Sequence, residues 1–178
     1  YETALKIAEE ILKNNPNKKA VTVASGTKYP DALSISPYAA REKSPILLAD
    51  GDKLPGAEKL VKDYSISEAI IAGGEDSVGK LEKHFTNIQR ISGKDRYETA
   101  INIAEKFFNQ AEKISLVSGE DFPDALVVSP LAAKENMPLI LTPGQNKSKA
   151  VEKYISENSI KQINIFGGEQ SVSDDLFK

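Results

Sequence analysis

Ser25-Gly26-Thr27-Lys28-Tyr29-Pro30-Asp31-Ala32-Leu33 returns 93 residues later as Ser118-Gly119-Glu120-Asp121-Phe122-Pro123-Asp124-Ala125-Leu126. The same spacing carries Ser36-Pro37 onto Ser129-Pro130 and Pro45-Ile46-Leu47-Leu48 onto Pro138-Leu139-Ile140-Leu141. Between residues 19–49 and 112–142, 13 of 31 positions are identical, far above chance. Gly73-Gly74-Glu75 recurs as Gly167-Gly168-Glu169, and Tyr1-Glu2-Thr3-Ala4 as Tyr97-Glu98-Thr99-Ala100. The chain therefore holds two copies of one unit of about 94 residues, a repeat whose recognition decides how everything else is read. The copies divide at 1–92 and 93–178. Copy one lacks the Asp-Arg that precedes Tyr97 in copy two, and copy two lacks the counterpart of residues 87–90. That uneven cut reads as a window from a longer array; an excision boundary or disordered ends would explain it equally well. The opening residues show an amphipathic polar pattern, not a signal peptide.

Within a copy, short continuously apolar runs alternate with helical periods. In copy one, helices are expected over 3–12, 30–43, 57–64 and 77–85, and strands over 21–24, 46–49, 69–72 and 88–91. Pro37 is expected to kink or split its helix. Copy two predicts helices over 98–109, 123–136 and 147–157, and strands over 114–117, 139–142 and 163–166. Apolar strands alternating with helices imply βαβ units and a parallel sheet covered on both faces. The fold class is α/β, as tandem small modules, each a short parallel sheet flanked by helices.

Composition narrows the chemistry. Of 178 residues, 23 are Lys or Arg and 26 Asp or Glu, giving a net charge of −3, with 40% apolar residues and no Cys. That balance excludes a disordered acidic tail and argues against general duplex nucleic-acid binding. No apolar run is long enough to span a membrane. Without Cys there is no disulfide, zinc–thiolate site or thiol nucleophile. Ser25 and Ser118 lack a repeated base, because His84 is the single histidine and has no counterpart. Asp31 with Glu75 is the one repeated carboxylate pair available to a glycosidase. The glycine pairs fit no dinucleotide or phosphate-loop pattern and read as strand-to-helix turns. Asp31 and Asp124 read as self-capping helix starts. No catalytic, metal or cofactor site is expected.

The remaining signal is Arg90-Ile91-Ser92-Gly93-Lys94-Asp95-Arg96-Tyr97, where the two copies meet. Arg41, Arg90 and Arg96 are the three arginines in the chain, and two of them stand at this junction. Arginine's planar fork pairs with carboxylate or phosphate at two points. One reading is an internal ion pair of Arg96 with Asp95 or Glu98; the other is an anionic-ligand site at the seam, with Tyr97 offering a flat face for a sugar or simply packing. Competing with a binding role are an α/β enzyme acting on a glycan or nucleotide and a purely structural oligomerisation module.

Residues 90–100, 118–126, 138–141 and 167–172 together resemble the signature of cell wall binding repeat 2 (CWB2) modules, found in clostridial S-layer and cell wall proteins and in Gram-positive cell wall amidases. The resemblance implies extracellular non-covalent anchoring to the cell wall. The partner it implies is an anionic polysaccharide or teichoic-acid-like polymer. It also implies Toprim-like or Rossmann-like modules packed as a pseudo-threefold set, with further modules in the same chain or a homo-oligomer. Carried onto this chain, the polymer-binding candidates are Arg90, Arg96, Arg41 and Lys134, the repeat partner of Arg41, with Tyr97 beside them. The module-packing candidates are Ile46, Leu47, Leu48, Leu139, Ile140 and Leu141. Repeated weak sites on one chain would gain avidity on a repeating polymer.

Overall fold

The computed structural model describes residues 1–146 and 148–173. Copy one runs α1 (Glu2–Lys13), β1 (Ala20–Ser25), α2 (Tyr29–Arg41), β2 (Ile46–Ala49), α3 (Glu58–Asp63), β3 (Glu68–Ala72) and β4 (Asn87–Ile91). Copy two runs α4 (Arg96–Phe107), β5 (Lys113–Ser118), α5 (Pro123–Lys134), β6 (Leu139–Thr142), α6 (Lys149–Glu157) and β7 (Gln162–Phe166). The strands form two parallel sheets, ordered β2-β1-β3-β4 and β6-β5-β7. The central strands β1 and β5 are buried over nearly their whole length, which is why they lack polar alternation.

Each sheet has two apolar faces to cover. One face of the first sheet packs Val21, Val23, Leu47 and Ile71 against Ala8 and Leu12 of α1 and Val61 of α3. Its other face gathers Ala72 and Ile91 with Ile35 of α2 and Ile103 of α4. Copy two repeats the plan: Ile114, Leu116 and Ile140 meet Ile101 and Ala104 of α4 and Val151 of α6. Its second face sets Val117, Leu139 and Leu141 against Ala125 and Val128 of α5, together with Leu33 from α2. Helices α2 and α4 thus each serve both sheets.

Aromatic contacts reinforce the seam. Tyr38 stacks on Phe107 with ring centroids 3.8 Å apart, and Tyr29 meets Phe122 edge-on at 5.6 Å. The Tyr29 hydroxyl donates to the Glu120 carbonyl at 3.1 Å. These pairs add geometric preference to plain area burial.

Two sequence expectations need correction. Residues 77–85 form no helix. Their apolar residues at 78, 81 and 85 imitate a helical period, but Val78 bridges to Gly51 and Gly79 lies against the 51–52 backbone. The carbonyls of Val78 and Gly79 accept from the Arg90 guanidinium, so they are drawn away from any helical ladder. His84 lies in this irregular segment and is half-buried, with Nε2 buried and unbonded among the described residues. The second correction is that Pro37 does not split α2, which runs continuously through it. The Leu33 carbonyl, which would have accepted from an amide at position 37, accepts from the Ser36 hydroxyl at 2.8 Å instead.

Leu33 and Leu126 are the same repeat position, yet Leu33 is 8% exposed and Leu126 57%. Leu33→Ala is expected to cost about 2–4 kcal/mol in chemical denaturation, as for a buried leucine. Leu126→Ala should cost under about 0.5 kcal/mol, as at an exposed site. Equal costs would show that α2 is not the shared buried helix.

Candidate functional site

The carboxyl ends of the first sheet's strands open onto the seam, where ligands collect in parallel sheets. Two loops and one helix start converge there. Ser25 Oγ accepts from the amides of Thr27 and Lys28 at 3.2 and 3.1 Å, fixing the turn into α2. From copy two, the Asp95 carboxylate caps α4 by accepting from the amides of Tyr97 and Glu98, both at 2.9 Å. Gly93 is held so close to Glu98 and Thr99 that a Cβ would sit 2.5 Å from Glu98 Cβ. This tight entry leaves Lys94 and Arg96 exposed at the mouth.

Between these elements lies a cavity of about 430 Å³, lined among others by Lys28, Asp31, Asp76, Lys94, Asp95 and Arg96. Lys28 Nζ donates to the Asp76 carbonyl at 3.1 Å, which holds the amine over the cavity. Asp31 does not cap its helix: α2 has no side-chain cap. Its carboxylate faces the cavity, 8% exposed, and accepts no hydrogen bond among the described residues. Gly73, at φ 112°, makes room for it, since a Cβ there would lie 2.5 Å from Asp31 Oδ2. Burial raises the Asp31 pKa, and the opposing pull of Arg96 and Lys28 does not cancel it.

The candidates named from sequence take distinct places. Arg96 lines the cavity and donates from Nη1 to the Gly119 carbonyl; it pairs with neither Asp95 nor Glu98 among the described residues. Arg90 commits its guanidinium to the carbonyls of Gly73, Val78 and Gly79 at 2.9, 2.7 and 2.8 Å, so it organises one wall rather than facing the opening. Arg41 lies at the far end of α2. It donates to the Phe107 carbonyl at 3.2 Å and Asn136 Oδ1 at 2.7 Å, and sits over the rings of Phe108 and Tyr38. That makes it a clasp between copies. Lys134, its counterpart on α5, is exposed. Tyr97 packs over Gly119 against the second sheet's core. Leu47 and Ile140 are buried in their own cores, Leu139 and Leu141 lie beside α2's Leu33, and Ile46 and Leu48 are half-buried. Lys28, Lys94 and the aromatic pairs were missed by sequence reading. Lys28 differs from its repeat partner Asp121, and that mismatch inside an otherwise faithful repeat was the available signal.

A repeated parallel-sheet module with basic side chains from two copies around one seam matches a known domain. The family model for cell wall binding domain 2 (CWB2) matches residues 1–81 and 90–177. The chain belongs to the CWB2 family. It is 33% identical to the N-acetylmuramoyl-L-alanine amidase LytC of Bacillus subtilis (strain 168), over 97% of this chain and 34% of that protein. It is 29% identical to the amidase enhancer of the same organism, over 96% of this chain and 24% of the relative. Among solved structures, Cwp6 from Clostridium difficile superposes with a TM-score of 0.87 at 28% identity, covering 99% of this chain and 29% of that one. Cwp8 from the same organism gives 0.79 at 28%, covering 97% and 31%. The chain spans about a third or less of each of these proteins. It is a cell wall binding module of the Gram-positive type, matching about a third of the amidase. Among the described residues, no helix is long and apolar enough to cross a membrane.

The raised Asp31 pKa has a thermodynamic sign. The folded state holds this proton more tightly than the unfolded chain does. Ionisation of Asp31 therefore costs stability, a cost absent below the ordinary value of 3.8 and complete above the raised folded value. Asp31→Asn should raise Tm at pH 7, and the advantage should vanish below pH 3.8. An advantage that grew on acidification would contradict the assignment.

Proposed function

We propose that the module anchors an extracellular surface protein to the wall by binding an anionic wall polymer at the seam cavity. The observation that carries this reading is the meeting of Lys28, from copy one, with Lys94 and Arg96, from copy two, around one open cavity. Three cationic side chains supply attraction for phosphate or carboxylate groups. Asp95 opposes them little, because its charge is spent on the α4 N-terminus. Asp31, buried and without a donor, favours a ligand that also brings hydroxyl hydrogens, which suits a charged glycan better than a bare phosphate. Attraction of this kind is local, since charges more than about 8–10 Å apart are largely screened at physiological salt; a net charge of −3 is no obstacle.

We also propose that this two-copy unit, divided near residue 92, docks a further CWB2 module. The large exposed apolar residues Leu126, Val127 and Leu131 of α5 occupy the repeat positions of Leu33, Ser34 and Tyr38, which are covered or half-covered at the seam. Ile7, 56% exposed on α1, occupies the position of Ile103, 1% exposed on α4. A groove of about 410 Å³ beside Ile11, Asn15 and Lys43 corresponds to the place where Arg41 enters copy two. The two halves of one seam are thus presented again at opposite ends, as a closed set of modules needs.

Two experiments test these readings. Walls that carry their anionic polymer should retain the chain at least tenfold better than walls stripped of it, with retention falling as salt rises. Lys94→Ala combined with Arg96→Ala should remove most of that difference; equal retention on both walls would refute polymer binding. For docking, the wild-type chain should associate with increasing concentration in sedimentation, and Leu126→Glu with Leu131→Glu should keep it monomeric at unchanged Tm. A wild-type chain that stays monomeric at every concentration would refute the docking face.

A further inference from the structure

The second sheet has its own strand-end cavity, of about 530 Å³, bounded by Ser118, Glu120, Asp121, Asp124, Gln170 and Ser171 among others. Its backbone follows the first. Ser118 Oγ accepts from the Glu120 amide at 3.2 Å, as Ser25 Oγ does from Thr27. Gly167 stands at φ 121° against Asp124 Oδ2, as Gly73 stands at φ 112° against Asp31 Oδ2. The buried scaffold is therefore shared, and the linings differ around it: on the turn Thr27 and Lys28 are replaced by Glu120 and Asp121, on the facing loop Asp76 is replaced by Gln170, and Lys94 and Arg96 line the first cavity alone.

That replacement inverts the charge at the mouth. In the first cavity Lys28 is tethered over the opening by the Asp76 carbonyl. In the second, Asp121 accepts from the Phe122 amide at 2.8 Å, so its carboxylate is fixed at the exposed turn. The Glu120 backbone is fixed too, since its carbonyl takes the Tyr29 hydroxyl across the seam. Glu120, Asp121 and Asp124 together leave that wall with three carboxylates and, among the described residues, no basic side chain lining it. A polyanion approaching it meets like charge, and the repulsion acts within the roughly 8–10 Å over which charges are felt at physiological salt.

We propose that the two cavities are unequal: Lys28 makes the first competent for the anionic polymer, while Glu120 and Asp121 close the second to it. This two-copy chain then engages polymer at one seam, and Lys28 is its specificity-determining residue. The inference rests on the polymer-binding reading above.

The test is retention of the full chain on polymer-bearing walls. Lys28→Asp should reduce it at least tenfold, whereas Lys113→Asp, the same charge change at the opposite end of the second sheet, should change it less than twofold. Asp121→Lys should raise it several-fold, whereas Glu68→Lys, at the opposite end of the first sheet, should not. Unchanged Tm in each variant shows that folding is intact. Lys28→Asp behaving like Lys113→Asp, or Asp121→Lys like Glu68→Lys, would overturn the inequality of the cavities. If that happens while wild type still prefers polymer-bearing to stripped walls, the anchoring function stands and the inference alone falls. If wild type shows no such preference, both fall.

Discussion

A parallel sheet must hide two apolar faces, and this chain meets the demand with helices that serve two sheets at once. Helix α2 belongs by sequence to the first copy, yet its Ile35 lies with the first sheet's residues and its Leu33 with the second's. Helix α4 does the converse, giving Ile101 to its own core and Ile103 to its neighbour's. Neither copy encloses all its own apolar surface, so the seam is continuous with the two cores and as tightly specified as they are. This sharing explains the different appearance of the two homologous helices. Seven residues of α2 are buried, against three of α5, although their sequences are close relatives.

The same constraint places the groups that line the seam cavity. Because α4 must lie across the first sheet, its N-terminus arrives beside the carboxyl ends of that sheet's strands. Arg96 and Lys94 come with it, opposite Lys28. A module alone would present only its own half of the cavity. The wall on the first-copy side is held by Arg90, whose three bonds to backbone carbonyls shape the 73–79 loop, and the far end of α2 is fastened by Arg41. Arginine's scarcity in the chain thus reflects two kinds of work. Arg90 and Arg41 hold backbone geometry, and Arg96 both braces the Gly119 carbonyl and faces the cavity.

Much of the fold was legible from the repeat and the apolar runs, because buried parallel strands such as 21–24 and 139–142 have no solvent face to confuse the pattern. Residues 77–85 were misread for a reason that periodicity cannot detect: side chains at 78, 81 and 85 are buried at a helical spacing, while the backbone between them bonds to Arg90 and the 51–52 loop. The site was only partly legible. The seam arginines stood out by rarity, but sorting them needed hydrogen-bond partners, which depend on contacts between residues far apart in sequence. Asp31 was misjudged because a carboxylate in a helix's first turn ordinarily caps it, whereas here the close approach of Gly73 turns it into the cavity.

Duplication usually yields equal sites, and equality would make binding strength a matter of counting modules. Here the duplicated scaffold is kept where packing requires it and released where packing does not. Pro30, Asp31, Ala32 and Leu33 are identical in copy two, and these positions meet the strand ends, Gly73 or the seam. On this turn Thr27 and Lys28 are exposed, touch no core, and changed to Glu120 and Asp121. Because a surface substitution costs the fold little, charge at this turn can vary without disturbing the seam on which both sheets depend. On the reading proposed above, binding capacity is set separately from stability, by exposed side chains on a turn whose backbone the buried residues hold fixed.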